Sequence, residues 1–197
     1  MTFLAAAKTG MLSQVSIIEA VANRLREREM VNLVVDPVMV AASGDPLLAP
    51  AAVAAIRERL FPLAALVTPN LREAEILLGR KEIADVAAMR SAVRELVDLG
   101  ARAVLITGGA LEGPDALDVL LDRGQIHEFR GRRFEQQVHG AGCTLSAAIA
   151  ALLARDYELI DAVRSAKDFV SRALEQSPPF GHGSRLLNHF ATVSKSN

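Results

Sequence analysis

The sequence predicts an α/β fold in which a mostly parallel sheet is covered by helices on both faces. Short apolar runs alternate with helical patterns along most of the chain, as in parallel strands joined by helical crossovers. The runs Val31–Val35, Ala64–Thr68 and Ala103–Ile106 are almost uniformly apolar, which is typical of strands buried on both faces. A length of 197 residues favours a single domain spanning residues 1–197.

The helices are predicted from apolar residues that recur every three or four positions. Ser13 is the expected N-cap of the first helix, whose apolar face carries Ile17, Val21 and Leu25. Gly100 is expected to end the fourth helix, since glycine is common just after a helix C-terminus. The expected helices cover Ser13–Glu29, Pro50–Leu60, Glu73–Leu78, Val86–Leu96, Gly142–Ala154 and Glu158–Glu175.

The region after the third strand departs from this alternation. Two short apolar runs, Leu117–Leu121 and Gln125–Phe129, flank the sequence Asp122-Arg123-Gly124. Such a polar, glycine-containing turn between apolar runs is typical of a β-hairpin. We therefore expect an antiparallel hairpin late in the chain, next to the parallel strands.

Composition excludes several classes of protein. Hydrophobic residues make up 51% and charged residues 23% of the chain, so it is not disordered. The net charge is −1 and aromatic residues make up 4%, which leaves little basic or stacking surface for a nucleic-acid partner, and nothing in the composition indicates one. The longest uncharged runs are shorter than the roughly 18 apolar residues of a membrane span. With Cys143 as its single cysteine, the chain is expected to be cytoplasmic, without a membrane or nucleic-acid partner.

Polar and small residues follow each predicted parallel strand. Asp36 follows the first strand, Asn70 and Glu73 follow the second, and Thr107, Gly108 and Gly109 follow the third. Ligands of open α/β sheets bind beyond the carboxyl ends of the strands. These residues are therefore candidates for a binding site, although Asp36 could equally be a turn residue.

The segment Gly140-Ala141-Gly142-Cys143 opens the fifth predicted helix. Its small residues let backbone N–H groups approach an anion, and the helix N-terminus adds a partial positive charge. A phosphate group would suit this place, but a tight turn before a closely packed helix explains the same residues. The helix dipole is expected to lower the thiol pKa of Cys143, which could otherwise be a small buried apolar residue.

Asn70 and Glu73 stand three residues apart at the start of a helix. Their oxygens could hold a hydrated Mg²⁺ near a phosphate group, because Mg²⁺ prefers oxygen ligands and retains several waters. The alternative is a capping box, in which Asn70 caps the helix and Glu73 completes the reciprocal pair. The two interpretations are compatible with each other.

Five segments together resemble the hydroxymethylpyrimidine/phosphomethylpyrimidine kinases of thiamine biosynthesis. They occur in the order and at the spacing of that family: Lys8–Leu12, Val34–Leu48, Thr68–Glu75, His139–Thr144 and Leu187–Phe190. The resemblance implies a ribokinase-like fold. It also implies transfer of the ATP γ-phosphoryl group to the hydroxymethyl oxygen of a small pyrimidine, or to its monophosphate.

The resemblance also implies roles for the candidate residues. Gly140, Ala141 and Gly142 would form the anion hole for the transferred group, and Cys143 would accept the hydroxyl proton. Asp36 would lie beside the triphosphate, together with Thr107, Gly108 and Gly109, in the ATP site. Asn70 and Glu73 match the Asn-x-x-Glu element that governs Mg²⁺ and phosphate. The implied cofactors are therefore ATP and Mg²⁺.

The sequence also departs from the family pattern. The upstream strand and glycine-rich loop of the family are not found before Lys8, so we expect a fold that is partial at its N-terminus and a homo-oligomer, a dimer, that covers the open sheet. The other departures are Ala42 and Thr107 for lysine, Ala110 for histidine, Ala141 for threonine, and Ser184-Arg185-Leu186 for His-Gly-Pro. Two alternatives follow: a pyridoxal-kinase-like enzyme, or a catalytically impaired homologue that acts as a binding or dimerisation module.

Overall fold

The computed structural model describes residues 4–41, 44–79, 82–134, 138–178 and 185–191. Within these ranges six strands form one sheet in the order β1-β2-β3-β4-β5-β6. The strands are β1 (Ala7–Thr9), β2 (Leu33–Val35), β3 (Leu66–Val67), β4 (Ala103–Gly108), β5 (Asp115–Asp122) and β6 (Gln125–Arg132).

Strands β1 to β4 are parallel, and β5 and β6 are antiparallel. The predicted fold class is therefore confirmed, with the hairpin at one edge of the sheet. The other edge is β1, which the sequence pattern does not predict because its three residues, Ala-Lys-Thr, carry little apolar signal. Its register is nonetheless definite, since Ala7 pairs with Leu33 and Thr9 with Val35.

Six α-helices connect and cover these strands in the described parts of the chain. They are α1 (Val15–Glu27), α2 (Pro50–Ala55), α3 (Leu71–Leu78), α4 (Val86–Asp98), α5 (Ala141–Leu153) and α6 (Leu159–Glu175). A π-helical turn at Ile56–Leu60 extends α2 to Leu60, where the apolar pattern predicts its end. A 3₁₀ turn follows at Phe61–Leu63.

The predicted start of α1 is wrong, and its predicted apolar face is confirmed only in part. Its N-cap is Gln14 rather than Ser13, and no side chain makes a capping hydrogen bond. Val21 and Leu25 pack against the core, but the fully buried residues are Ile18 and Ala22, and Ile17 is 43% exposed. The apolar stripe of α1 is wider than its core contact, so periodicity alone does not show which side of the stripe faces the sheet.

The predicted hairpin is confirmed, and its turn explains its sequence. Asp122 pairs with Gln125, which leaves Arg123 and Gly124 as a two-residue loop. Both have positive φ angles, 47° and 77°, as a type I′ turn requires. This backbone twist matches the right-handed twist of the two strands, and the pair can therefore continue to Asp115 and Arg132.

The sheet separates two apolar cores. Alternate strand residues, such as Val35, Val67 and Ile106, pack under α1 to α4. Their neighbours, such as Val34 and Leu105, pack under α5 and α6 on the opposite face. Burial on both faces explains why these strands read as continuous apolar runs.

A small second sheet lies near the start of α5. It pairs β7 (Val138–His139) with β8 (Arg185–Leu186) in parallel, and Leu187 and Ala191 pack against Ala173 of α6. No helix in the described ranges is long and apolar enough to cross a bilayer. The departures Ala42 and Ser184 lie outside the described residues.

Candidate functional site

Three polar side chains meet where β1, β2 and α5 converge. The Nζ atom of Lys8 lies 3.1 Å from Oδ2 of Asp36, and both side chains are largely buried. The hydroxyl of Ser146, on α5, lies 3.0 Å from the same Asp36 oxygen. Asp36 directly follows β2, whose parallel neighbours bring their carboxyl ends to the same edge of the sheet. The position of Asp36 at the strand end agrees with the prediction, and its partners come from distant parts of the chain.

The start of α5 presents unpaired backbone donors. Gly140 is the N-cap with a φ of 88°, a conformation that favours glycine, and no side chain caps the helix. The first backbone bond of the helix runs from the N–H of Thr144 to the carbonyl of Gly140, at 2.8 Å. The N–H groups of residues 141–143 precede this bond, so they face outward at the positive end of the helix. This geometry suits an anion.

The environment of Cys143 differs from the prediction. Its side chain is exposed at the start of α5. Loss of hydration raises the pKa of its thiol, the nearby Asp36 carboxylate raises it further, and Lys8 lowers it. The pKa is therefore raised, contrary to the expected lowering, because partial loss of hydration and the Asp36 carboxylate both disfavour the thiolate. The sequence could not show that Asp36 lies next to Cys143.

Asn70 and Glu73 form the capping box. The Glu73 N–H donates to Oδ1 of Asn70, and the Asn70 N–H donates to Oε2 of Glu73, both at 2.9 Å. The Met39 N–H also lies 3.3 Å from Oε1 of Glu73. Both carboxylate oxygens of Glu73 therefore accept backbone hydrogen bonds and hold the loop after β2 against the start of α3.

The Glu73 carboxyl group is buried close to a second acid. Burial and the charge of Asp36 raise the pKa of Glu73 to about 7, although its backbone hydrogen bonds oppose this. A neighbouring cation would favour the charged form of Glu73. The Thr68 hydroxyl, at the end of β3 beside β2, is buried without a hydrogen-bond partner among the described residues. Two acids and an unpaired hydroxyl are a donor set that fits the waters of a hydrated Mg²⁺.

The end of β4 is shaped by packing, and the strand continues through Thr107 and Gly108, which were predicted to follow it. A Cβ atom on Gly108 would lie 2.1 Å from the Leu117 carbonyl oxygen, so only glycine fits between β4 and β5. Its N–H donates to Oδ1 of Asp118 at 3.1 Å, and the Thr107 N–H donates to the Pro69 carbonyl oxygen at 3.0 Å. Both N–H groups are hydrogen-bonded within the protein. They are therefore not donors to a ligand, and this segment affects ligand binding only through its shape.

Two concave surfaces lie on either side of the start of α5. The first, which we name the hairpin cavity, has a volume of about 240 Å³. Its walls include Thr107 and Gly109, residues Ala141 and Gly142 of α5, Asp118 of β5, Lys167 of α6, and Arg133, which directly follows β6. The second, the helix-start groove, is lined by Gly140, Cys143, Thr144, Ala147, Ala148, Phe169 and His189. The backbone of residues 140–143 therefore lies between the two surfaces.

The structure brings the predicted residues close to one another through pairwise contacts. Asp36 lies by Cys143 and Glu73, and the backbone of Asn70 forms a β-bridge with Thr107, which lines the hairpin cavity with Gly109. Local sequence patterns give no role to Lys8, and they do not identify four residues that bind Asp36 or line the hairpin cavity: Ser146, Asp118, Arg133 and Lys167. Each acts through a contact across more than 15 positions of sequence, which no local pattern reveals.

Comparison with known proteins identifies the family. The family model for phosphomethylpyrimidine kinase matches residues 2–188. The hydroxymethylpyrimidine/phosphomethylpyrimidine kinase of Escherichia coli is 44% identical over 186 residues, which cover 93% of this chain and 70% of that protein. The thiamine biosynthesis bifunctional protein of Geobacter sulfurreducens is 45% identical over 92% of this chain. The chain spans 37% of that longer protein.

Solved structures agree with this assignment. The ADP complex of Bacillus subtilis pyridoxal kinase superposes with a TM-score of 0.89 at 40% identity, covering 95% of this chain and 71% of that one. The predicted ribokinase-like fold is thereby confirmed. The family of kinases predicted from the five sequence segments is also confirmed by the match over nearly the whole chain. This chain belongs to the phosphomethylpyrimidine kinase family.

Proposed function

We propose that this chain transfers the γ-phosphoryl group of ATP to 4-amino-5-hydroxymethyl-2-methylpyrimidine and to its monophosphate. The observation that carries the proposal is the start of α5, whose free N–H groups separate the hairpin cavity from the helix-start groove. A group in transfer between two ligands would lie at this boundary.

We also propose a cytoplasmic location, on the basis of composition.

Differences between the two surfaces support a separate place for each substrate. The hairpin cavity is lined by the Thr107 and Gly109 turn and by Lys167, and it suits the nucleotide. The helix-start groove contains the Cys143 side chain and apolar residues such as Ala147 and Phe169, and it suits a small pyrimidine. The acceptor hydroxyl would then lie near the thiol, with the triphosphate on the other side of Gly142.

The reaction exchanges one P–O bond for another. The acceptor oxygen forms a bond to the γ-phosphorus while the bond from that phosphorus to the β,γ-bridging oxygen breaks, and ADP leaves. The hydroxyl proton moves to Sγ of Cys143 in its thiolate form, which Lys8 favours. The N–H groups of residues 141–143 stabilise the charge on the equatorial oxygens, which is the main contribution to catalysis in a loose transition state.

The protonation and position of the Cys143 thiol depend on three neighbouring residues: Lys8, Asp36 and Ser146. The ion pair of Lys8 with Asp36 places a positive charge close to the thiol, and Lys8 lowers the Cys143 pKa against the effect of Asp36. The Ser146 hydroxyl also lies 3.1 Å from the carbonyl oxygens of Gly142 and Cys143, which ties Asp36 to the first turn of α5.

A bound Mg²⁺ would supply positive charge to the phosphate oxygens, and Asp36, Asn70 and Glu73 are the residues that would hold its waters.

A coupled assay of ADP release tests the proposal. The purified chain is supplied with ATP, Mg²⁺ and either the hydroxymethylpyrimidine or its monophosphate, and the phosphorylated product is confirmed by mass spectrometry. We expect pyrimidine-dependent ADP release that is lost in Cys143→Ala. If ADP binds but no pyrimidine product forms, the chain is a binding module rather than a kinase.

Pyridoxal is the second candidate acceptor. It is favoured by the structural similarity to the B. subtilis pyridoxal kinase at 40% identity. The same assay with pyridoxal in place of the pyrimidine distinguishes the two acceptors by kcat/KM. We expect the higher value for the pyrimidine, because the family model that matches is that of phosphomethylpyrimidine kinase.

A further inference from the structure

Arg133 holds together one loop of the hairpin cavity. Its guanidinium donates hydrogen bonds to the carbonyl oxygens of Gly109 at 2.8 Å, Gly113 at 2.7 Å and Asp115 at 2.9 Å. It also donates to the carbonyl oxygen of Leu111. These four acceptors belong to alternate residues of a single segment, residues 109–115, which joins β4 to β5. One side chain therefore sets the shape of the whole loop.

The charge of Arg133 is also unusual among the cations of this cavity. Lys167 pairs with Asp118 at 2.5 Å, and Arg132 lies 3.4 Å from a Glu175 oxygen. Arg133 forms no ion pair with a carboxylate in the described parts of the chain, and its partners are neutral carbonyl groups. It therefore keeps a net positive charge at the wall of the cavity.

The turn next to this loop is held from the opposite side. Asp118 accepts a hydrogen bond from the Gly108 N–H, and Lys167 fixes Asp118 in turn. Arg133 binds the carbonyl oxygen of Gly109, one residue further along. Two independent charged groups thus fix the two ends of the Gly108–Gly109 peptide segment. Thr107 and Gly109, which flank Gly108 in the sequence, line the hairpin cavity.

We propose that Arg133 is a positioning residue for nucleotide binding. It holds residues 109–115 and the adjoining end of β4 in the conformation that binds the nucleotide. The binding free energy is then not spent on ordering the loop. The planar guanidinium fork is needed because it reaches several carbonyl groups at once, which a lysine ammonium on a flexible chain does not do. The inference rests on the proposed function only in placing a nucleotide in this cavity.

The test compares Arg133→Gln and Arg133→Lys with the wild-type chain. Calorimetry with Mg²⁺ and ADP gives the Kd, amide hydrogen exchange reports the order of residues 109–115, and thermal unfolding reports the fold. We expect ADP to bind about tenfold more weakly to both variants, as for the loss of hydrogen bonds to a charged group. Exchange should be faster in residues 109–115 alone, with the Tm and the KM for the acceptor unchanged.

Arg130→Gln is the matched control. Arg130 lies on β6, three residues before Arg133, and its guanidinium pairs with Glu128 and Asp115 at 3.4 Å and 3.8 Å without lining the hairpin cavity. Its ADP affinity should equal that of the wild type.

Three results would overturn the inference: an unchanged Kd in Arg133→Gln, full recovery in Arg133→Lys, or a wild-type chain that binds no ADP. Weakened ADP binding in the variants, with no pyrimidine phosphorylation by the wild type, would support this inference and contradict the proposed function instead.

Discussion

Cys143 lies between charges of opposite sign, and their balance determines how its thiol behaves. Asp36 disfavours the thiolate and Lys8 favours it, while partial loss of hydration raises the pKa of the thiol. A thiol of this kind is a poor base at neutral pH when it acts alone. Phosphoryl transfer tolerates this, because the acceptor proton leaves late in a loose transition state. Cys143 can therefore accept the proton only as the thiolate, which the raised pKa makes the minor form at neutral pH.

Replacing Cys143 tests its role as the proton acceptor. We expect Cys143→Ala to lower kcat by about 10²- to 10⁴-fold, the usual contribution of general base catalysis. The Kd for ADP should stay unchanged, because the thiol faces the helix-start groove rather than the hairpin cavity. Steady-state kinetics and calorimetry measure both quantities. Near-wild-type kcat in the variant would remove Cys143 from the mechanism.

Neutralising Asp36 should lower the pKa of the Cys143 thiol. Asp36→Asn removes the charge that disfavours the thiolate and leaves Lys8 to stabilise it. Because Cys143 is the single cysteine, the rate of alkylation by iodoacetamide between pH 7 and 10 reports this pKa directly. We expect faster alkylation of the variant at pH 8, with no change in the distant surface variant Asp98→Asn. An unchanged pH profile would show that Asp36 does not influence the thiol.

At the scale of elements, the start of α3 combines capping with a buried acid. The capping box ties Asn70 to Glu73, and the Met39 N–H connects the same carboxylate to the loop after β2. The sequence argument left capping and Mg²⁺ binding as compatible alternatives. The structure shows the cap, and the burial of Glu73 beside Asp36 adds an electrostatic cost that a cap on the surface would not carry.

This cost predicts a pH dependence of stability. The pKa of Glu73 is about 7 in the folded chain against an ordinary value of 4.5, so the folded state binds the proton more tightly. The contribution of Glu73 to the free energy of unfolding is therefore greatest below pH 4.5 and is lost as the pH rises to about 7. The loss is on the order of 3 kcal/mol.

Urea unfolding at pH 5 to 8 without Mg²⁺ measures this dependence. We expect the decrease in stability with pH to be smaller in Glu73→Gln than in the wild type. The exposed variant Glu58→Gln should follow the wild-type curve. Parallel curves for Glu73→Gln and the wild type would mean that Glu73 does not titrate in this range.

Two adjacent glycines at the end of β4 should respond differently to substitution by alanine. Gly108→Ala would bring a Cβ atom to 2.1 Å from the Leu117 carbonyl oxygen and force β4 and β5 apart. We expect it to destabilise the fold by about 1–3 kcal/mol or more, the usual cost of overpacking. Gly109→Ala meets open space and should unfold at the wild-type temperature. Thermal unfolding of both variants decides whether packing explains Gly108.

At the scale of the whole molecule, β1 and β6 are the two edge strands of the sheet in the described parts of the chain. Large apolar side chains near β1 are exposed, among them Leu4 at 66% and Met11 at 54%. Unpaired strand edges beside apolar surface favour association with another chain.

We therefore expect this chain to form a dimer through the β1 edge. Light scattering coupled to size exclusion should give about twice the monomer mass of 21.1 kDa. Met11→Glu should shift the population towards the monomer, because it places a charge in the expected contact. A monomeric wild-type chain at micromolar concentration would contradict the prediction.

The sequence by itself determined the fold class and the positions of the site residues along the chain. The parallel strands are buried on both faces, so each leaves an apolar run that ends where its polar residue begins, as at Val35 and Asp36. The hairpin turn requires positive φ angles, and Gly124 supplies one of them. These features are visible because their physical causes lie within a few residues of one another.

Tertiary structure alone decided the chemistry around those residues. Whether the Cys143 pKa rises or falls depends on Asp36 and Lys8, which come from β2 and β1 and meet the thiol only when α5 packs on the sheet. The role of Arg133 likewise depends on a loop about 20 positions earlier in the chain. Local patterns record burial and backbone geometry, whereas electrostatic interactions depend on distances through space, and the fold sets those distances.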